Sequence, residues 1–402
     1  MDYKRISLFI SSLVRLPLPK QLLTSQTTLE DFESLTGWAS DGVISNDTTH
    51  VKSGSQGINF KAATAGATPV MNKDTSMSLS SRTNQMIWIY TADPTKFSSV
   101  VIYLTSTNYS TYLSISLAGN QMSVGWNAID LSQSKWSSYG GAAWSETFTK
   151  VRFRLNSVAG QVGDITLDGW IGYVSTPAIS ISFDDNRISL LSTAFPYLRG
   201  KKVRASVYCV TDWVGNDEIY LNWTQLQEMS RGNYGWDICN HSKTHPHLTA
   251  LSQADQQTEL RLASEALVAN GFTNTSKYVA YPFSERDATA DAAMAAEGML
   301  TGRTGTQANN FMPIMKPYVI YSLDAGTKTV AQLKTIIDNT ISNKWLTNLY
   351  FHNLVDEIST PNCDYLTSDF IEIIDYALSK NLPFLTASDI HNLVTESISI
   401  IK

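Results

Sequence analysis

Charge is scarce in this 402-residue chain: Asp, Glu, Lys and Arg make up 16% of it, against a hydrophobic share of 43%. Globular domains usually carry about a quarter charged residues, so Ser, Thr, Asn and Gln must supply much of this surface. Basic residues are the shorter set, 30 Lys and Arg against 36 Asp and Glu, for a net charge of −6. No patch able to neutralise a phosphate backbone is available, which argues against a nucleic-acid partner. Cysteine is nearly absent. Cys209, Cys239 and Cys363 have neither metal-ligand nor redox spacing and are expected as small buried hydrophobes. Nor does any stretch approach the ~20 apolar residues of a membrane span. A short apolar run, Ile6–Val14, follows Lys4 and Arg5, but Arg15, Pro17 and Pro19 interrupt it and no small-x-small cleavage pattern appears. Residues 1–26 therefore read as a non-cleaved arm, suited to attaching the chain to a virion or cell surface.

The first half has no helical period that survives ten residues. Short alternating segments, among them Met86–Tyr90, Val100–Tyr103, Thr111–Leu117 and Val151–Leu155, are separated by Gly, Asn, Ser and Asp clusters. Regularly spaced short strands with turn signals predict an all-β sandwich, of jelly-roll type, over residues 27–175. Trp38, Trp88, Trp126, Trp136, Trp144 and Trp170 lie in this half. They either fill its core or stack on sugar rings from its surface, and core filling is the default expectation. Ile165–Gly169 (Ile-Thr-Leu-Asp-Gly) resembles the last strand of carbohydrate-binding jelly rolls, and Asp31–Ser34 their first, so the half is a possible carbohydrate-binding module. His50 stands among polar loop residues and is expected to be solvated.

From Ala178 the period switches. Strand-like runs at Ala178–Phe183, Val203–Val210, Tyr234–Cys239, Lys277–Tyr281, Met299–Thr304, Tyr318–Ser322, Trp345–Phe351 and Pro383–Thr386 alternate with helical patterns. One helix begins at Ser252, with Asp255 three residues on, and presents Leu260, Ala263 and Leu267 before Gly271 stops it. A second presents Val330, Leu333, Ile337 and Ile341, and a third, from Thr367, presents Phe370, Ile374 and Ala377. Alternating strands and helices imply parallel βαβ units. Residues 176–392 are thus expected to form a distorted (β/α) barrel of about seven parallel strands, with 393–402 as a tail.

In such a barrel the chemistry sits past the C-terminal ends of strands. Asp184 and Asp185 end the first strand. Asn240 to His245 follow the third, Pro282 to Ser284 the fourth, Arg303 belongs with the fifth and His352 follows the seventh. His241 and His245 are four apart, the spacing of one face of a helical turn. Two histidines and a carboxylate form the ligand set of an open catalytic zinc site. The tandem Asp supplies that carboxylate and a second one free for proton transfer.

Ser182-Phe183-Asp184-Asp185, Asn240-His241-Ser242-Lys243-Thr244-His245-Pro246, Tyr281-Pro282-Phe283 and Leu349-Tyr350-Phe351-His352 resemble, in order, the motifs of the polysaccharide deacetylases, the NodB-homology domain of carbohydrate esterase family 4. The resemblance implies a metal-dependent hydrolase that removes N- or O-linked acetyl groups from a polysaccharide. It implies Asp184 as general base, Asp185, His241 and His245 as ligands of Zn2+ or another divalent ion such as Co2+, and His352 as general acid. The backbone N–H of Phe283 would stabilise the oxyanion, and Ser242 would tie down the His241 loop. The sequence also departs from the family pattern. The Arg that opens the third motif and orients the base is replaced by Ala280, and the Gly that closes it by Ser284. Arg303 is the candidate to supply the missing guanidinium, and Asp324 to tune His352. His247 is expected to line the cleft or cap its loop. The competing reading is a catalytically inactive glycan-binding or phage adhesion protein. Either reading places the chain outside the cell, on a cell surface or on a phage tail acting on capsule.

Overall fold

The computed structural model describes residues 23–399, apart from residues 83, 234 and 362. The arm predicted for residues 1–26 therefore lies largely outside the described residues. Its last four positions belong to a strand, Leu23–Glu30. Likewise the predicted tail begins inside a helix, Ala387–Ser399. The chain divides into two compact units, one built on Leu23–Thr176 and the other on Pro177–Asn310 with Ile314–Glu396.

The first unit is a sandwich of two antiparallel sheets. One runs, in spatial order, Val43–Asp47, Gly57–Lys61, Asp164–Ser175, Asn84–Thr91 and Gly125–Asp130, with Leu23–Glu30 also paired to Asp164–Ser175. The other runs Ser137–Tyr139, Tyr112–Ala118, Phe97–Thr105, Thr147–Ser157, Val70–Ser78 and Trp38–Ser40. Period-two alternation sends Ile58, Phe60, Ile87, Ile89, Ile165 and Leu167 inward from the first sheet. Val100, Ile102, Leu104, Val151, Phe153 and Leu155 meet them from the second. Four of the six tryptophans follow the core-filling expectation, Trp38 and Trp170 inside the core and Trp136 and Trp144 half-buried against it, while Trp88 is buried and Trp126 half-buried outside that cluster.

One expectation fails here and another holds in part. Asp31–Ser34 is a loop, not the first strand. The chain turns at Phe32 (φ 58°), whose ring is buried and stacks 5.9 Å from Trp38, and Asp31 Oδ1 accepts the Glu33 N–H. His50 lies in a loop and is partly exposed, as expected, but it is not without partners. Its ring stacks 3.8 Å from Tyr90 and its Nδ1 lies 2.9 Å from Asp47 Oδ2.

The second unit is a closed parallel barrel. Its strands are β1 (Ala178–Asp184), β2 (Ser206–Cys209), β3 (Asp237–Asn240), β4 (Tyr278–Ala280), β5 (Thr301–Gln307), β6 (Ile320–Asp324) and β7 (Leu346–Phe351). Each pairs with the next, and β1 pairs with both β7 and β2, closing a ring of seven. The eighth predicted strand is two residues, Phe384–Leu385, paired to Ile179 and Ser180. Since β2 pairs with β1 only from Ser182 onward, this stub takes the remaining N-terminal part of that edge.

Every residue of β1 is buried, but its two faces differ. Ile179, Ile181 and Phe183 pack outward into a core shared with Leu198, Leu226, Leu333 and Phe370. Ser180 and Ser182 line a small space inside the ring with Tyr208, Arg303 and Asn348. Alternation continues that inward row to Asp184. The three predicted helices are present: α1 (Gln253–Ala269), α2 (Val330–Asn343) and α3 (Thr367–Ser379). Ser252 caps α1, accepting from the Asp255 N–H, and Thr329 with Gln332 forms a capping box on α2.

Candidate metal and hydrolytic site

Asp184 and Asp185 are neighbours in sequence that face different ways. Asp184 ends β1 on the inward row and is 4% exposed. Asp185 follows with φ 68°, and Asn186 with φ 39°. That left-handed pair swings the second carboxylate off the strand direction toward the loop after β3.

The loop after β3 carries both histidines, and it is not a helical turn. Residues 241–247 contain no helix, and Ser242 (φ 64°) and His245 (φ 63°) curl the backbone instead. Ser242 Oγ accepts the His245 N–H at 3.0 Å, and Asn240 Oδ1 accepts the Ser242 N–H at 2.8 Å. Glu259, on α1, accepts the N–H groups of Lys243 (3.0 Å) and Thr244 (2.8 Å). The curl leaves the two imidazole centroids 4.8 Å apart. His241 Nε2 lies 3.8 Å and His245 Nε2 3.7 Å from the same atom, Asp185 Oδ1.

These three residues fit a divalent cation. Their ligand atoms all lie within 4.8 Å of one another. Asp185 Oδ1 and Asp184 Oδ1 are buried without a hydrogen-bond partner among the described residues, a costly arrangement unless an ion or water takes them. The Ala280 carbonyl lies 2.8 Å from His241 Nδ1. It sets the tautomer with the proton on Nδ1, leaving the Nε2 lone pair toward Asp185. Burial, reinforced by His241, pulls the His245 pKa down to about 4, so the ring is neutral, the form that ligates.

Asp184 meets a guanidinium. Arg303 Nη2 donates to Asp184 Oδ2 at 2.5 Å, and its Nη1 donates to Ser322 Oγ at 2.9 Å. The cation sits between the rings of Tyr208 (4.9 Å) and Tyr350 (4.6 Å). In the β4–β5 register Ala280 stands directly beside Arg303. The guanidinium missing from position 280 is thus present one strand over. Burial would raise the Asp184 pKa, but Arg303, with His241 and His352, overrides it and holds the carboxyl below its usual range. Asp184 Oδ2 is also 3.9 Å from His241 Nε2.

The remaining candidates surround this pair. His352 follows β7, its ring 5.7 Å from Tyr350, and its charge acts on Asp184, His245 and Asp324. Asp324 ends β6; burial raises its carboxyl while His352 works in the other direction. Phe283 (φ 53°) and Ser284 (φ 63°) form the turn after β4. Ser284 is accommodated because Gly305 faces it: a Cβ at 305 would lie 1.9 Å from Ser284 Oγ. His247 stacks on the Phe283 ring, centroids 3.9 Å apart, with Nδ1 3.0 Å from Glu285 Oε1.

Sequence reasoning did not identify Glu259, Trp213 or Arg187. Glu259 has the appearance of any polar helix residue. The Trp213 ring is 5.2 Å from His245, and Arg187 Nη2 is 3.9 Å from Asp185 Oδ2. The one available signal for Arg187 was its place two residues after the tandem Asp.

Residues 172–301 match the family model described as polysaccharide deacetylase. No curated protein matches the chain. Among solved structures, the chain is similar to a Streptococcus pyogenes deacetylase in complex with acetate (21% identity, TM-score 0.32, 36% of this chain and 62% of that one). It thus spans less than two thirds of that protein. It is similar as well to a family 4 carbohydrate esterase from Streptomyces lividans in complex with acetate (19%, TM-score 0.37, 52% and 91%). The chitin deacetylase of the fungal pathogen Colletotrichum lindemuthianum is a further likeness (18%, TM-score 0.39, 54% and 88%).

Proposed function

We propose, from the premise that this chain carries a polysaccharide deacetylase domain at residues 172–301, that it is a metal-dependent carbohydrate esterase cleaving N- or O-linked acetyl groups from a polysaccharide. Asp185, His241 and His245 would hold the ion, Zn2+ or a similar divalent cation such as Co2+. When bound, it would supply a Lewis acid for the acyl carbonyl and for the attacking water.

The chain's own residues carry the rest. Asp184, kept ionised and oriented by Arg303, takes the proton from water as its oxygen attacks the acetyl carbon. The Phe283 N–H donates to the oxyanion that forms on the carbonyl oxygen. His352 delivers a proton to the departing sugar nitrogen or oxygen as the acyl bond breaks, leaving acetate and the free amine or hydroxyl. The observation that carries this reading is the split between the two carboxylates. One is ion-paired and 3.9 Å from His241 Nε2, and the other shares an oxygen with two imidazoles.

Acetate release from acetylated cell-wall and capsular glycans, with chelator and then with Zn2+ or Co2+ restored, is the direct assay. Asp184→Asn should keep the metal and lose about 100-fold or more in turnover, as removal of a general base does. Asp185→Ala should lose the metal itself. Full activity and full occupancy in both variants would refute the roles assigned to these residues, whereas no acetate release with or without metal would leave the inactive adhesion protein as the reading. The proposal extends to location, outside the cell or on a virion. It extends also to the sandwich as a glycan-holding unit: Tyr112 contacts both Tyr103 and Tyr139 across one sheet, with Tyr139 59% exposed.

A further inference from the structure

We propose that the barrel interior holds one ordered water between Arg303 Nε and Asn348 Oδ1, and that Asn348 thereby positions the guanidinium that orients Asp184. This rests on the deacetylase reading and deepens it, by adding a positioning residue behind the base. A parallel barrel usually fills its centre with layers of branched apolar side chains. Here the lining is largely polar: Ser180 and Ser182 from β1, Thr301 and Arg303 from β5, and Asn348 from β7. In the β1–β7 register Ser180 stands beside Asn348. Serine is too short to fill the space a branched apolar side chain would take. A cavity of about 10 Å³ is left, the room of a single water.

Two of the lining residues keep a buried polar atom without a hydrogen-bond partner among the described residues. Arg303, 5% exposed, uses Nη2 on Asp184 and Nη1 on Ser322, which leaves Nε. Asn348, 2% exposed, leaves Oδ1. Its amide cannot be turned around, because Nδ2 donates at 2.8 Å to the Tyr321 carbonyl, an oxygen that only accepts. One orphan is a charged donor and the other an acceptor, and leaving such groups unpaired in the interior opposes folding. A water satisfies both at once. It accepts from Nε–H, donates to Oδ1, and keeps one proton for Ser180 or Ser182.

The cavity is closed toward the N-terminal ends of the strands. Ala387 and Ile390, from the helix Ala387–Ser399, complete its lining. That helix is fastened to the first residues of β2 and β3. The Ala387 N–H donates to Ser206 Oγ at 2.9 Å, and the Ser388 N–H to Asp237 Oδ2 at 2.7 Å. A water enclosed there acts as a fixed part of the barrel. The rings of Tyr208 and Tyr350 attract the cation but do not by themselves fix its rotation. Hydrogen bonds at Nη1, Nη2 and Nε do, since the fork is rigid and each bond holds a different corner of it. Asn348, acting through the water, supplies the third corner.

The test uses the full chain, supplied with Zn2+ and with its arginines labelled in heavy nitrogen, in a magnetic resonance experiment. The Arg303 Nε–H signal is identified by its loss in Arg303→Met. The expected signal is protected from solvent exchange and joined by a cross-peak to one long-lived water. Ser180→Val fills the cavity and leaves the bond from Asn348 to Tyr321 in place, so it should remove that cross-peak. In Ser180→Val and in Asn348→Leu, kcat for acetate release should fall about 10- to 100-fold, the cost of a misplaced catalytic group. KM should stay within about twofold, because substrate is not touched. Combined with Arg303→Met, neither substitution should lower kcat further, since both act through Arg303. Losses that add to that of Arg303→Met, as a merely structural disturbance gives, overturn the positioning role. Acetate release from a protein whose Nε–H exchanges freely or shows no water cross-peak overturns the proposal alone. A water cross-peak without acetate release upholds the water site and overturns the deacetylase reading. Neither cross-peak nor release overturns both.

Discussion

Asp184 depends on Arg303 more than on any other group. A buried carboxylate without a counter-charge would take up a proton, and a protonated base cannot accept one from water. Because Arg303 holds the Asp184 pKa down, its loss must move that pKa up. Activity that needs ionised Asp184 is then lost at a higher pH on the acid side. Arg303→Met should shift the acidic limb of the kcat/KM profile upward by about 1–3 pH units, the usual range for a carboxylate beside Arg. Thermal unfolding of the same variant separates this from damage to the fold, since stranding one partner of a buried ion pair costs about 3–5 kcal/mol. The register of Ala280 beside Arg303 adds a sharper check. Ala280→Arg introduced together with Arg303→Ala should restore at least part of the lost rate, whereas a merely structural Arg303 would not be rescued from the adjacent strand.

At the scale of elements, the histidine loop depends on α1. Glu259 reaches from the second turn of that helix to the N–H groups of Lys243 and Thr244, inside the loop that carries both ligands. Without it the left-handed turns at Ser242 and His245 lose one of their side-chain restraints, the others being Asn240 Oδ1 and the Ser242 hydroxyl. Glu259→Ala should therefore weaken metal binding about 10- to 100-fold, the range for partners that orient ligands. Metal titration checks this, and unchanged helicity by circular dichroism excludes loss of α1. The same scale explains why the predicted helical turn is absent. A four-residue spacing places two rings together in a helix, but a curled loop does so equally well, and spacing alone does not distinguish the two.

The largest cores of the two units differ in construction. The sandwich core is drawn from residues 32–170 and the barrel core from residues 179–382. In the sandwich the most exposed aromatic is Tyr139, whereas of the tryptophans that composition singled out three are buried and three half-buried. Tyr139→Ala should raise the polymer concentration needed for half-maximal acetate release about fivefold, as loss of one aromatic contact would. Its exposure means the melting temperature should hardly move; an unchanged half-saturation would remove the sandwich from substrate binding. No helix among the described residues is long and apolar enough to cross a membrane.

What the sequence by itself determined is whatever short-range periodicity encodes. That covers the period-two sandwich, the eight parallel-type runs, the N-cap of α1, and Asp184, Asp185, His241, His245 and His352 at strand ends. These are legible because side-chain alternation and capping act within a few residues. Only the tertiary structure decided that Asp184 faces the barrel interior while Asp185 faces the histidines, that Arg303 reaches Asp184 from β5, beside the strand of Ala280, and that Glu259 clamps the loop. It also decided that the ring closes at seven strands with Phe384–Leu385 as a stub, and that Phe283 stands open against His247. Each of these depends on strand register or on left-handed backbone at non-glycine residues. Both are settled by contacts between residues far apart in the chain.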